Sequence, residues 1–317
     1  EAGRPVDEDW RSRRRQSLVE RYAGFAPHIL VIEAFPFDRR QMRFELMPLL
    51  AAAEHGRNPP LVVASVRDVV HRRQPSRIAQ TITLLRRYFD RVLVHGDPLL
   101  VRFEESFPAV DEIRDLVTYT GYVGNHPQSY QSETIPQNPE VVVSAGGGAA
   151  SMGLFLTAMH AKPRSRFRNA TWRFLAGDSM SETDYNALRD RAGPGSIVER
   201  ARSDFPALLA RCAVSVSRGG YNTVVDLLRA RARSVIVPYA GSGETEQPLR
   251  ARFLEQRGYA RVLDEKELSA QALATAVDQA ATVNPPPAGA IDLDGAVRSA
   301  DLLIDALRLG QQAPGTQ

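Results

Sequence analysis

The sequence runs to 317 residues, 43% hydrophobic and 24% charged, with a formal net charge of +3. That length and balance fit two ordinary globular domains, each with its own core. No apolar run approaches the roughly 18 residues that would suggest a membrane-spanning helix. A single cysteine, Cys212, rules out an internal disulfide or a cysteine metal site, and its apolar surroundings read as a buried small hydrophobe. The six histidines show no ligand spacing, so no metal is expected. Only Lys162 and Lys266 are lysines, and acids are interspersed among the arginines, so nucleic acid is not an expected partner. A reducing, cytoplasmic setting fits this composition. The opening Glu1-Ala2-Gly3-Arg4-Pro5 carries neither an initiator Met nor a signal-peptide pattern, which suggests a truncated or processed chain.

Taken in order, a basic helix is predicted over Trp10–Phe25, before any strand. Strands follow at His28–Glu33, Leu61–Ser65, Arg91–His95 and Leu116–Thr120, with helices near Gln41–Glu54, Ile78–Phe89 and Leu99–Phe107 between them. Residues 124–139, rich in Pro, Gln, Asn and Ser, read as a linker. Beyond it strands are predicted at Val141–Ser144, Thr171–Ala176, Ser196–Glu199, Ala213–Ser217, Ser234–Pro238 and Ala260–Leu263. Helices are predicted at Ser151–Ala161, Glu182–Arg191, Asp204–Arg211, Tyr221–Arg231, Thr245–Arg257 and Ala270–Ala281. A proline-rich break at Asn284–Gly289 precedes a last helix at Asp292–Leu309. The alternation is that of βαβ units on parallel sheets. The expected organisation is a first domain at 1–123, a linker at 124–139, a second domain at 140–309 and a disordered tail at 310–317. The first domain lacks an opening strand and glycine-rich turn, so a preceding segment is expected.

Three loops carry the chemistry. In the first, the strand ending at Ser144 runs into Gly146-Gly147-Gly148 and then a helix, which brings backbone N–H groups and a helix dipole to an anion. Neither lysine follows a glycine, so no Walker A loop exists. Ser151 stands where a dinucleotide fingerprint needs Gly or Ala, and no acid lies roughly 20 residues on. A Gly-x-Ser-x-Gly elbow is absent as well. The second loop, Arg218-Gly219-Gly220 before a helix bearing Asn222, Thr223 and Asp226, offers a carboxylate for a ribose diol, or simply an acid that favours a helix start. The third, Gly243-Glu244-Thr245-Glu246-Gln247, offers donors and acceptors for sugar hydroxyls, or a helix cap. All three follow strands and so meet at one carboxyl edge, where open α/β sheets bind ligands.

Gly219–Asp226, Pro238–Gln247 and Ala251–Gly258 together resemble the C-terminal domain of glycosyltransferase family 28, which includes the enzyme that adds N-acetylglucosamine to the peptidoglycan lipid precursor. Phe35–Leu46, Val94–Pro98 and Tyr119–Val123 are similar to a bacterial group of predicted glycosyltransferases. The resemblance implies a GT-B fold, two Rossmann-like doubly wound domains facing a cleft, the first without its opening strands. It implies hexosyl transfer from a nucleoside diphosphate sugar, UDP above all, by inversion and without a metal or other cofactor. The glycine run Gly146–Gly148 would face the diphosphate, Thr223 and Asp226 the nucleotide, the stretch at Arg200 the base, and Glu246 and Gln247 the sugar. Ser144, Arg218, Gly219, Gly220, Asn222, Gly243, Glu244 and Thr245 complete that donor set. Three positions depart from the family: Asp226 replaces a Glu, Glu246 replaces the first Gln of a pair, and Arg250 replaces an Asn.

A base must take the acceptor proton, and Glu33, Asp68, His95 and Asp97 stand at strand ends of the first domain. Asp97 before Pro98 also reads as a helix cap. The acceptor is left open between a lipid-linked and a small molecule. Trp10-Arg11-Ser12-Arg13-Arg14-Arg15 and the cluster Arg39, Arg40 and Arg43 suit an anionic membrane surface or a solvated helix face, so a peripheral place on the inner membrane face is compatible. Two other readings stay open: a nucleotide-sugar 2-epimerase, and a non-catalytic binding subunit completed by a partner chain.

Overall fold

The computed structural model describes residues 6–124, 140–145, 149–241 and 243–312, without the side chains of residues 149–150 and 309–312. The expected linker beyond Gly124, the glycines Gly146, Gly147 and Gly148, and most of the expected tail lie outside the described residues. Two compact units are present. The first takes residues 1–98, 102–122 and 294–317, the second residues 99–101 and 123–293.

The first unit is built on four parallel strands, β1 (Ile29–Glu33), β2 (Leu61–Arg67), β3 (Arg91–His95) and β4 (Val117–Tyr119), in the order 1-2-3-4. Val63, Ala64, Val92 and Val94 are fully buried, as expected of parallel strands covered on both faces. Helices α1 (Glu8–Phe25), α2 (Arg43–Glu54) and α3 (Pro75–Tyr88) belong to this unit. Helix α1 has no buried residue, yet it is docked by side chains. Trp10 packs on Phe44 with ring centroids 6.4 Å apart, and Arg14 pairs with the buried Glu45 of α2. The Trp–Arg segment that suits a membrane surface is thus partly occupied within the fold.

The helix expected at Leu99–Phe107 does not form; only a single 3₁₀ turn, Phe103–Glu105, is present. Leu100, Val101 and Phe103 are all buried, so the apolar residues do not lie on one helical face. Phe103 and Phe107 pack edge-on to Phe37, at 5.5 and 5.1 Å, and the Phe103 N–H donates to the Tyr119 hydroxyl. Tertiary packing overrides local pattern here, and Asp97 caps no helix.

The second unit holds six parallel strands: β5 (Val141–Ala145), β6 (Trp172–Ala176), β7 (Ser196–Arg200), β8 (Val214–Ser217), β9 (Ser234–Ile236) and β10 (Arg261–Val262). Their order is β10-β9-β8-β5-β6-β7, with every neighbour parallel. This is the doubly wound dinucleotide-domain order, and its direction reverses between β5 and β8. Helices α4 (Ala149–Ala161), α5 (Glu182–Asp190), α6 (Phe205–Arg211), α7 (Tyr221–Ala230), α8 (Glu246–Gln256) and α9 (Ala270–Ala280) connect the strands. Val143, Phe174, Val214 and Val216 fill one core, with Trp172 fully buried and its indole N–H donating to the Phe167 carbonyl at 3.1 Å. Cys212, half-buried, ends α6, and burial of the thiol pushes its pKa up to about 12, which disfavours the reactive thiolate. No helix of the described residues is long and apolar enough to cross a membrane.

The last helix, α10 (Gly295–Gln312), groups with the first unit, whereas the sequence placed it in the second domain. The cause is local: the Gly295 N–H donates to the Tyr122 carbonyl at 3.1 Å, and a Cβ on Gly295 would lie 2.3 Å from the Gly121 oxygen. Gly295→Ala is therefore expected to cost about 1–3 kcal/mol through overpacking. Gly153→Ala, in the open interior of α4, should instead stabilise by roughly 0.5–1 kcal/mol. Thermal unfolding of both variants checks the opposite signs.

Candidate functional site

In the second unit the strand-order reversal separates the loop after β5 from the loop after β8, which opens a crevice at the carboxyl edge. Ser144 pairs in register with Ser217 across that divide. Ser217 is fully buried, and among the described residues its hydroxyl has no hydrogen-bond partner.

Helix α7 starts at Tyr221 behind Gly220, which as the N-cap residue makes no side-chain cap bond, and a helix start of this kind suits an anion. The exposed Asn222, the half-buried Thr223 and the half-buried Asp226 share one face of this helix at spacings of three and four. Burial raises the Asp226 pKa, and Arg229 partly offsets it. The carboxylate is thus partly desolvated beside an uncapped helix start, a place suited to accepting hydroxyl hydrogens.

Helix α8 works differently. Gln247 Oε1 accepts from both the Gly219 N–H and the Tyr239 N–H, each at 3.1 Å. Arg250, 1% exposed, donates to the Gly219 carbonyl at 2.9 Å and lies 3.9 Å from Glu246. One turn of α8 therefore stitches the loop after β8 to the loop after β9. Glu244 caps this helix, its carboxylate accepting from the Glu246 and Gln247 N–H groups. Thr245 is the N-cap residue without a side-chain bond, and Gly243 has φ +77°. Arg218 donates to the Val237 carbonyl at 3.1 Å and pairs with Glu265 at 2.8 Å. Arg200 donates to the Met180 carbonyl, pairs with Glu182 and lies over the Tyr185 ring at 4.2 Å.

In the first unit the carboxyl edge holds the proposed base residues. Asp68 is fully buried, its two oxygens accepting from the Val69 N–H and the Tyr122 hydroxyl. It holds a turn together and does not reach solvent. His95 lies between Ser65 on Nε2, at 2.7 Å, and Thr120 on Nδ1, at 2.9 Å. The Thr120 hydroxyl donates to the Gly121 carbonyl, so it accepts from Nδ1–H, and Nε2 then accepts from Ser65. Burial lowers the imidazole to about 4, with Glu33 acting in the opposite direction, so His95 is neutral at pH 7. Glu33 is exposed and pairs with Arg39 at 3.0 Å. Beside it, burial and then the neighbouring cations of Arg77, Arg73 and Arg43 lower the pKa of Arg40, while Asp38 opposes them. Of these cations, Arg73 pairs with Asp38 at 2.6 Å and Arg40 donates to the Arg77 carbonyl at 3.0 Å.

Residues 202–289, which contain α7, α8 and both of their loops, match the glycosyltransferase family 28 C-terminal domain. The UDP-N-acetylglucosamine–N-acetylmuramyl-(pentapeptide) pyrophosphoryl-undecaprenol N-acetylglucosamine transferase of Rhodospirillum centenum is 34% identical over 114 residues, 34% of this chain and 30% of the relative. Its counterpart in Clostridium perfringens is 25% identical over 195 residues, 56% of this chain and 50% of the relative. The chain thus spans a third to a half of the length of these two relatives. Among solved structures, the calicheamicin glycosyltransferase matches with a TM-score of 0.58 at 17% identity, over 96% of this chain and 81% of that one. MurG of Acinetobacter baumannii matches with a TM-score of 0.57 at 14% identity, over 98% and 82%. The fold is that of the GT-B glycosyltransferases.

In the second unit, several residues expected to touch the donor are already engaged in the fold. The Gly219 N–H, the Glu244 carboxylate and the Arg218 and Arg200 guanidiniums have protein partners, and the Gln247 oxygen holds two loops. Arg250 is the residue whose role the sequence hid: it marked a departure from the family, and the structure shows a buried tie. Removing it is expected to cost about 3–5 kcal/mol, because Arg250→Ala leaves the Gly219 carbonyl unpaired and opens a cavity. Chemical denaturation would read this loss. A change under about 1 kcal/mol would contradict the tie.

The depressed His95 pKa has a stability consequence. A histidine that is harder to protonate when folded makes the unfolded chain bind more protons as pH falls from about 6.5 to about 4, so stability drops across that window. His95→Asn should flatten the drop when unfolding free energy is followed from pH 7 to 4.

Proposed function

We propose that the chain transfers a hexosyl unit from a nucleoside diphosphate sugar, UDP-linked, to an acceptor that carries a phosphoryl group. The observation that carries this reading is Asp226. Its partly desolvated carboxylate stands one turn into an uncapped helix, at the strand-order reversal of a family 28 domain. A ribose diol would donate two hydrogens to that carboxylate, and the first turn of α7 would face the diphosphate. The curated relatives carry UDP-N-acetylglucosamine and a pyrophosphoryl-linked acceptor in their names. The crowded Arg40, Arg43, Arg73 and Arg77 of the first unit supply the charge for such an acceptor.

In the proposed step the acceptor hydroxyl oxygen bonds to the anomeric carbon, on the face opposite the leaving group. The bond from that carbon to the diphosphate oxygen breaks through an oxocarbenium-like transition state, and the diphosphate leaves with the bonding pair. Backbone N–H groups and the helix dipole, in place of a metal, stabilise the growing negative charge. Glu33 takes the acceptor proton: of the four carboxyl-edge candidates it is the exposed one, whereas Asp68 and Asp97 are buried and the His95 Nε2 lone pair is held by Ser65. A lipid-linked acceptor would hold the chain at the inner membrane surface.

The test combines donor calorimetry with transfer of labelled sugar to a short polyprenyl-diphosphate acceptor. Asp226→Ala should weaken UDP binding by roughly 1–3 kcal/mol, about 5- to 150-fold, and the loss in the native chain should set in above the ordinary carboxylate pH range as Asp226 takes up a proton. Glu33→Gln should cut transfer by about 10²-fold or more with UDP affinity unchanged. Donor binding without any transfer would leave a binding subunit, and no binding of a nucleoside diphosphate would overturn the reading.

A further inference from the structure

The second unit has another cavity, far from the crevice, on the opposite edge of the same sheet. It lies where the chain enters β6 and β7, between the end of α4 and the loop at Gly193–Ser196. Its volume is about 650 Å³, within the range of small-molecule sites. One wall is formed by His160 and the cationic Lys162, Arg168 and Arg191, and the other is apolar, formed by Leu156, Met159 and Pro194. No carboxylate lines it among the described residues.

Lys162, one of only two lysines in the chain, is the unusual member. It is 7% exposed, and its Nζ donates to the Pro194 carbonyl at 2.7 Å. The loop is shaped around it: Gly195 has φ +70°, and a Cβ there would come within 2.6 Å of Nζ. Burial lowers the Lys162 pKa, and no described acid pairs with it. An ammonium held out of water with one carbonyl and no counter-charge has two N–H donors left to offer. The two arginines add to the same positive field, which an anion would relieve.

We propose that this cavity is a second ligand site, for a small organic anion with a phosphoryl head and an apolar tail. The head would sit against Lys162, Arg168 and Arg191, the tail against Leu156 and Met159. The site is separate from the donor crevice, since the two lie at opposite ends of the strands.

His160 gives a local reporter. Carbon-13 labelling of the histidine rings, with His160 assigned through His160→Gln, allows titration with geranyl phosphate, inorganic pyrophosphate, citrate and geraniol. The expected result is a saturable shift of the His160 signal with geranyl phosphate and a weaker one with pyrophosphate. Arg168→Ala with Arg191→Ala, both exposed positions that leave the fold intact, should weaken both by about tenfold or more. Asp226→Ala should leave them unchanged. No saturable shift at millimolar ligand, or one that survives the double substitution, would overturn the site. Equal binding of citrate would overturn its phosphoryl selectivity, and equal binding of geraniol its need for charge.

Discussion

The structure of the second unit depends on one topological constraint, the reversal of strand order between β5 and β8. Right-handed crossovers send the chain one way from β5 to β7 and the other way from β8 to β10. The loops that leave β5 and β8 must therefore part, and the crevice between them is a product of connectivity before any side chain is chosen. What the side chains then do is hold one bank of that crevice in shape. Gln247 and Arg250, three residues apart on α8, fasten the Gly219 loop by its N–H and its carbonyl, and Gln247 fastens the Tyr239 loop as well.

This division of labour decides which polar groups remain for a ligand. A buried arginine that keeps its partners is tolerable, whereas one that gave up Glu265 and the Val237 carbonyl for a phosphate would lose both of those partners, an ion pair and a hydrogen bond. Arg218 is therefore better read as a support than as a clamp. Asp226 is the contrasting case, a carboxylate whose cost of burial is only partly offset by Arg229. On the proposed reading, support and reception fall on separate helices, α8 for the first and α7 for the second. In the first unit the same contrast separates Asp68, satisfied by Val69 and Tyr122, from the exposed Glu33.

The strands were legible in the sequence for a physical reason. Parallel strands covered on both faces read as short unbroken apolar runs, and Val141-Val142-Val143 or Val235-Ile236 has no competing helical period. The loops at their carboxyl ends were legible too, from glycines next to helix starts. Leu99–Phe107 was misleading because its apolar residues answer to Phe37 and Tyr119, which are distant in sequence. The return of α10 to the first unit rests on a backbone contact at Gly295, and a missing side chain says nothing about which domain it faces. The roles of Gln247 and Glu244 were ambiguous for another reason: an amide or carboxylate that caps a loop and one that grips a sugar have identical letters. Gly146–Gly148 remains a reading from sequence, outside the described residues.

Hydrogen exchange of the backbone amides, followed by mass spectrometry with and without UDP, tests the central claim most directly. The account predicts that UDP slows exchange in the loop and first turn of α7 at residues 217–224 and around 144–151, and leaves the opposite edge at residues 162–170 and 193–196 unchanged. Protection confined to that opposite edge, or none anywhere at saturating UDP, would contradict a nucleotide site at the strand-order reversal.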